Sequence, residues 1–209
     1  MGDLLIELWQ ARPVTAAASP LVPLRIALVG SGAGSTADHV LESGAADVRL
    51  VVGNNSRAGI FDVARRHGVA TAHLSGVTHP DPGELDAGVL GVLDGADVDA
   101  VVLAGYMKKL GPRVLARFEG RILNTHPALL PEFGGVGMFG DHVHEAVLAS
   151  GRRVSGATVH LVTAGYDEGP VVAQAEVPVL PGDDVPALRA RVQAAEKALL
   201  VDVLRTWRP

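Results

Sequence analysis

The sequence predicts an α/β protein with a doubly wound, mostly parallel sheet and an antiparallel addition at its C-terminal end. Three observations lead there. From residue 24 onward, short and almost wholly apolar runs alternate with stretches of helical composition, the pattern of strands covered by helices on both faces. The gaps between the first four runs are long enough for crossover helices, which parallel neighbours require. The gap between the last two runs is too short for one, so those strands should pair antiparallel.

Taken in order, residues 1–23 precede the alternation. Leu4-Leu5-Ile6-Glu7-Leu8-Trp9 is too short and, flanked by Asp3 and containing Glu7, too acidic for a signal peptide. Ala11–Pro23 is rich in Ala and Pro, as linkers are. The expectation is a solvated extension; the alternative is a short amphipathic docking piece built on Leu4, Leu5, Leu8 and Trp9. Residues 24–209 are expected to form one domain with halves 24–126 and 127–209. Strands are expected at Leu24–Gly30, Val48–Asn54, Val98–Gly105 and Arg121–His126. Helices fall between and after them, at Thr36–Ser43, Gly59–His67, Pro82–Leu93 and Pro112–Phe118. Past Pro131 a glycine-rich loop, Phe133–Gly140, leads into a helix over His142–Ser150. Strands Gly156–Val162 and Val171–Val179 and a closing helix Val185–Trp207 follow.

Composition narrows the function. With 18 basic against 23 acidic residues, net −5, a duplex-binding surface is not expected, and 4% aromatic residues leave few platforms for stacking bases. The absence of cysteine excludes disulfides, a thiolate nucleophile and cysteine-ligated zinc. No apolar run approaches the roughly 18 residues of a membrane span; cytoplasmic residence is the expectation.

The first strand runs into Gly30-Ser31-Gly32-Ala33-Gly34-Ser35-Thr36. Glycines let the backbone bend and bring its N–H groups near an anion, and a helix N-terminus adds positive partial charge, so this loop suits a phosphate. Ser35 or Thr36 is expected to cap the helix. A dinucleotide is disfavoured: the third fingerprint glycine would fall at Ser35, and the second strand ends Gly53-Asn54-Asn55 without an acid for a ribose.

In Arg121-Ile122-Leu123-Asn124-Thr125-His126-Pro127, Asn124 and His126 are two residues apart and share one side of a strand at its carboxyl end, where ligands of open α/β sheets bind. An amide beside an imidazole can stabilise charge growing on a carbonyl oxygen. The polar loop Ala164–Pro170 carries Asp167 and Glu168, carboxylates able to orient such an imidazole and raise its pKa. His142 and His144 suggest a metal only superficially, because i and i+2 on a helix do not face each other; no metal is expected.

These blocks, together with Val101-Val102-Leu103-Ala104-Gly105-Tyr106-Met107, Gly156–Val162 and Arg191-Val192-Gln193-Ala194-Ala195-Glu196, stand in the order found in the folate-dependent formyl transferases that act on glycinamide ribonucleotide. The resemblance runs from about Leu24 to Leu204. It implies a Rossmann-like formyltransferase fold and transfer of a formyl group from 10-formyltetrahydrofolate to the amine of glycinamide ribonucleotide in purine synthesis. Another amine, an amino sugar or a specialised nucleoside, is the alternative acceptor. The catalytic residues it implies are Asn124, His126 and Asp167. The acceptor is implied to meet Gly32, Ala33, Gly34, Ser35, Thr36, Gln193 and Glu196. The folate is implied to meet Tyr106, Met107, Lys108, Leu110, His160 and Tyr166. The implied partners are small molecules alone, with no nucleic acid or membrane, and the implied state is a monomer or homodimer. Thr36 replaces an asparagine common in the family, Lys108-Lys109 replaces arginine and an apolar residue, and the Gly134–Gly140 loop is longer than in most members.

Overall fold

A computed structural model describes residues 22–209. The docking piece considered for Leu4–Trp9 lies outside the described residues. Seven strands and six helices follow in the order β1 Arg25–Gly30, α1 Ser35–Ser43, β2 Asp47–Gly53, α2 Ile60–Arg66, β3 Ala70–His73, α3 Pro82–Gly95, β4 Ala100–Leu103, α4 Pro112–Arg117, β5 Ile122–His126, α5 Asp141–Ala149, β6 Val154–Leu161, β7 Val171–Pro178 and α6 Val185–Thr206. They build one sheet in the order β3-β2-β1-β4-β5-β6-β7. The first five strands pair parallel; β6 pairs antiparallel with β5 and β7 antiparallel with β6, the latter as the short β6–β7 connection requires.

Strand β3 is the one element absent from the sequence expectation. Ala70-Thr71-Ala72-His73 is mostly exposed and carries no apolar run; it is a strand because β2 offers it a free edge to pair with.

Strand alternation sorts the core into two layers. Ile26, Leu28, Val102, Leu123 and Val159 face α1, α2 and α6, where Val40, Ile60, Leu200 and Leu204 pack on them. Ala27, Val29, Val101, Leu103 and Ile122 face α3 and α4 and meet Val89, Leu93, Val114 and Phe118. Val147, Val177, Leu188 and Val192 seat α5 on α6 and β7.

Several helix starts are fixed by side chains. Asp81 accepts from the N–H of Glu84 at 2.8 Å and Asp184 from that of Ala187 at 2.9 Å, each followed by a proline in the first turn. Asp86, buried on α3, accepts from the N–H groups of Arg113 and Val114 at 2.8 and 3.2 Å and so caps α4 from a different helix. That bond fixes where the chain leaves the Met107–Leu110 loop.

The chain moves outward from β1 to β3 and then returns to β4 on the other side of β1. The loops after β1 and β4 therefore diverge, which opens a crevice at the carboxyl ends of the strands. The two loops are tied at its floor: Ser31 N–H donates to the Gly105 carbonyl at 3.1 Å and Met107 N–H to Ser31 Oγ at 2.9 Å.

Candidate active site

A single cleft of about 980 Å³ fills that crevice and continues along β5, β6 and α6. Its volume lies at the upper end of the range of small-molecule sites, roughly 300–1,000 Å³. Every site residue expected from the sequence lines it. Gly32–Thr36 form one wall, Tyr106–Lys108 and Leu110 another, Asn124, His126, His160 and Asp167 the floor, and Gln193 and Glu196 the helix side. Tyr166 stands at the rim, exposed.

The glycine loop differs from expectation in one detail. Neither Ser35 nor Thr36 caps α1: the cap position is Gly34, in the left-handed conformation (φ 83°), without a side-chain cap. Serine begins the helix one residue too late for its hydroxyl to reach back. Glycine is needed at 34 for two reasons, the positive φ and the packing, since a Cβ there would stand 2.6 Å from Ile60 Cα. Asp38 N–H returns to the Gly34 carbonyl at 2.8 Å. The N–H groups of Ser35, Thr36 and Ala37 thus have no partner within the helix, and they provide an anion cradle built from backbone alone.

The three groups named as catalytic converge. His126 is buried, with Nδ1 3.5 Å from Asp167 Oδ2. Its Nε2 donates to the Phe133 carbonyl at 2.8 Å. Asn124 Nδ2 lies 3.0 Å from His160 Nε2, and His160 Nδ1 donates to the Leu161 carbonyl at 3.0 Å. Once Nδ1 is the donor, Nε2 offers a lone pair to the amide. One Asn124 N–H is then spent on His160 and fixes the amide plane, while the second remains for the cleft. His160 Nε2 is also 3.6 Å from Asp167 Oδ1.

Asp167 sits in the β6–β7 loop with a positive φ of 56°, held by the Gly135 N–H, which donates to Oδ2 at 3.0 Å. The turn is tight enough that a Cβ at Gly169 would stand 1.7 Å from the Leu161 carbonyl oxygen. Burial alone would raise the Asp167 carboxyl; the His160 ring, the Gly135 N–H and His126 outweigh it and hold the pKa below its usual value of 3.8. Glu168, its neighbour, is exposed and outside the cleft lining.

His126 corrects one expectation. Asp167 and the Phe133 carbonyl do pull its pKa up, but burial exceeds both, and the net shift is downward from 6.5. Each ring nitrogen nevertheless faces an acceptor, so a proton arriving on His126 finds both N–H groups placed. The carboxylate lessens the cost of charging a buried ring without reversing it.

Two polar cleft residues, Thr125 and Arg189, are given no role by the sequence, and His144, considered there only against a metal, also lines the cleft. Thr125 donates its hydroxyl to Glu196 Oε1 at 2.7 Å; a hydroxyl amid an apolar strand was its signal. His144 is buried with Nδ1 unpartnered, and Arg189 lines the cleft while bound to Asp141 at 2.8 and 2.9 Å. His142 is exposed and pairs with Glu145, on a different side of α5 from His144. Among the described residues no group of three or more His, Cys, Asp or Glu is placed to hold a metal ion. Of the described helices, none is long and apolar enough to cross a membrane.

Lys108 and Lys109 form part of the cleft rim. Lys109 Nζ donates to the Ala164 carbonyl at 3.1 Å and lies 4.0 Å from the centre of the Tyr166 ring, tying the loop after β4 to the loop that carries Asp167.

The phosphoribosylglycinamide formyltransferase of Mycobacterium tuberculosis is 40% identical over 185 residues, covering 87% of this chain and 84% of that protein. The enzyme of the same name from Escherichia coli K12 is 35% identical over 181 residues, covering 84% and 83%. The crystal structure of glycinamide ribonucleotide transformylase 1 from Symbiobacterium toebii superimposes with a TM-score of 0.81 at 37% identity, covering 88% and 86%. Residues 24–204 match the formyl transferase family, and the chain belongs to it.

Proposed function

We propose that this protein transfers a formyl group from 10-formyltetrahydrofolate to the amine of glycinamide ribonucleotide, in purine synthesis. The observation that carries the reading is the meeting of an amide, an imidazole and a carboxylate in the same cleft as a backbone phosphate cradle. The acceptor phosphate lies on the first-turn N–H groups of α1, and the rest of the molecule extends past Gln193 and Glu196 toward Asn124. The folate enters between the loop after β4 and the β6–β7 loop.

The amine attacks the formyl carbon, and the carbonyl π electrons move onto oxygen. The free N–H of Asn124 donates to that oxygen, and protonated His126 adds a second donor after releasing one of its present acceptors. The amine then loses a proton and the departing folate nitrogen gains one as its bond to carbon breaks. Asp167, beside His126, balances the charge and handles the proton through water. No covalent enzyme intermediate is required.

The test is a formyl-transfer assay with 10-formyltetrahydrofolate and glycinamide ribonucleotide, followed by release of tetrahydrofolate, with amino-sugar nucleotides as competing acceptors. Turnover of the ribonucleotide with a KM below that of every other amine is the expected result. No turnover of it, with turnover of another amine, refutes the reading.

A further inference from the structure

The outward faces of β5 are chemically different. Ile122, Asn124 and His126 point to the α3–α4 side, whereas Leu123 and Thr125 point to the side covered by α6. Thr125, placed in sequence between the amide and the imidazole, therefore reaches the opposite wall of the cleft. Its hydroxyl donates to Glu196 Oε1 at 2.7 Å, the length of a charge-assisted bond. Glu196 lines the cleft from the middle of α6, one turn after Gln193.

We infer that Thr125 is a positioning residue for the acceptor: by occupying Oε1 it fixes the Glu196 carboxyl so that Oε2 presents to the polar part of the acceptor, in register with Asn124 on the same strand. The inference rests on the proposed formyl transfer and extends it, because Thr125 touches no reacting atom. A carboxyl free to rotate would divide its time between rotamers, only one of which faces the ligand. A single backbone strand that carries both the oxyanion donor and the anchor of the Glu196 carboxyl keeps the two in fixed relation.

Burial pushes the Glu196 carboxyl above 4.5 and the Thr125 bond holds it down against that trend, with a smaller downward pull from Lys197 on the same helix. The other titratable groups that line the same cleft from the surrounding elements are His126 on β5, His144 on α5, His160 on β6, Asp167 in the β6–β7 loop and Arg189 on α6 itself. Removing the hydroxyl thus leaves burial less opposed, and the carboxyl takes up its proton at higher pH.

The experiment compares Thr125→Val and Thr125→Ser with wild type. Valine keeps the shape and loses the donor; serine keeps the donor. The expected result is an acceptor KM about tenfold higher in T125V, with donor KM and kcat within about twofold of wild type, and recovery in T125S. The acid-side rise of acceptor KM should begin at higher pH in T125V. A substrate-free measurement runs in parallel: a ¹³C NMR titration of the Glu196 carboxyl, whose midpoint should rise in T125V and return in T125S. An unchanged midpoint in T125V overturns the inference whatever the enzyme's acceptor is. So does an unchanged acceptor KM in an enzyme that turns over glycinamide ribonucleotide. Failure of wild type to use that acceptor refutes the proposed function instead, and the titration then decides the role of Thr125.

Discussion

Replacing Asn124 by alanine tests the proposed chemistry most directly. The Asn124 amide carries two N–H bonds, and His160 Nε2, 3.0 Å away, takes one of them. The substitution therefore removes one cleft-facing donor, not two, from the place where the formyl oxygen gains charge. Loss of one preorganised donor of this kind costs ~10²- to 10³-fold in kcat, or about 3–4 kcal/mol of transition-state stabilisation. Because the bond strengthens only as charge develops, kcat and kcat/KM should fall together while both KM values stay within about threefold. Asn124→Asp should be worse than alanine: it keeps the volume but places negative charge beside the developing oxyanion and has nothing to donate to His160. Initial rates over a grid of both substrates separate the parameters, and a melting temperature within ~5 °C of wild type shows that the fold is intact. A kcat within about fivefold of wild type, or a loss confined to acceptor KM, refutes the assignment of Asn124 as oxyanion donor.

Asp167→Asn removes the charge that offsets part of the burial cost at His126. If protonated His126 is the working form, turnover declines as pH rises through its pKa; the variant should shift that decline to lower pH and lose ~10²-fold at neutrality, and an unmoved pH–rate profile removes Asp167 from the mechanism. Burial pushes both His126 and His144 below 6.5, so the unfolded chain takes up these protons first. Stability should be full above about pH 6.5 and fall as pH drops below it. Urea titrations between pH 7.5 and 5.5 check this, and His144→Asn should flatten the slope; identical slopes contradict the explanation. Gly34→Ala combines a left-handed backbone, worth ~1–2 kcal/mol, with a clash against Ile60 Cα at 2.6 Å. It should lower Tm by more than ~4 °C and raise acceptor KM. Gly44→Ala, at φ 61° with open space around it, should leave acceptor KM unchanged.

Much of this was legible because burial on both faces of a parallel sheet leaves strong marks. The apolar runs at Ile26–Val29, Leu50–Val52 and Val101–Leu103 fall on β1, β2 and β4, and the short link before Val171 announces an antiparallel pair. Strand β3 left no mark, since an exposed edge strand needs no apolar pattern. Asn124 and His126 could be placed on one side of a strand by period alone. Their meeting with Asp167, 41 residues after His126, came only from the family resemblance, because loop carboxylates carry no address in their sequence. The net pKa of His126 was misjudged for a related reason: a neighbouring charge is easy to imagine from residue types, but the depth of burial that opposes it is a property of packing. Thr125 and Glu196 likewise met through the way α6 crosses β5.

The late position of β6 has a consequence for biogenesis. A chain emerging from the ribosome at ~5–20 residues per second can complete β1 to β5 before Val154 appears. During that interval β5 is the margin of the growing sheet, with unpaired N–H and C=O groups open to any extended neighbour. β6, once it pairs with Leu123–His126, ends that exposure. The strand that brings His160 to Asn124 is also the one that covers the β5 edge, and polypeptides cut short before it should aggregate through β5.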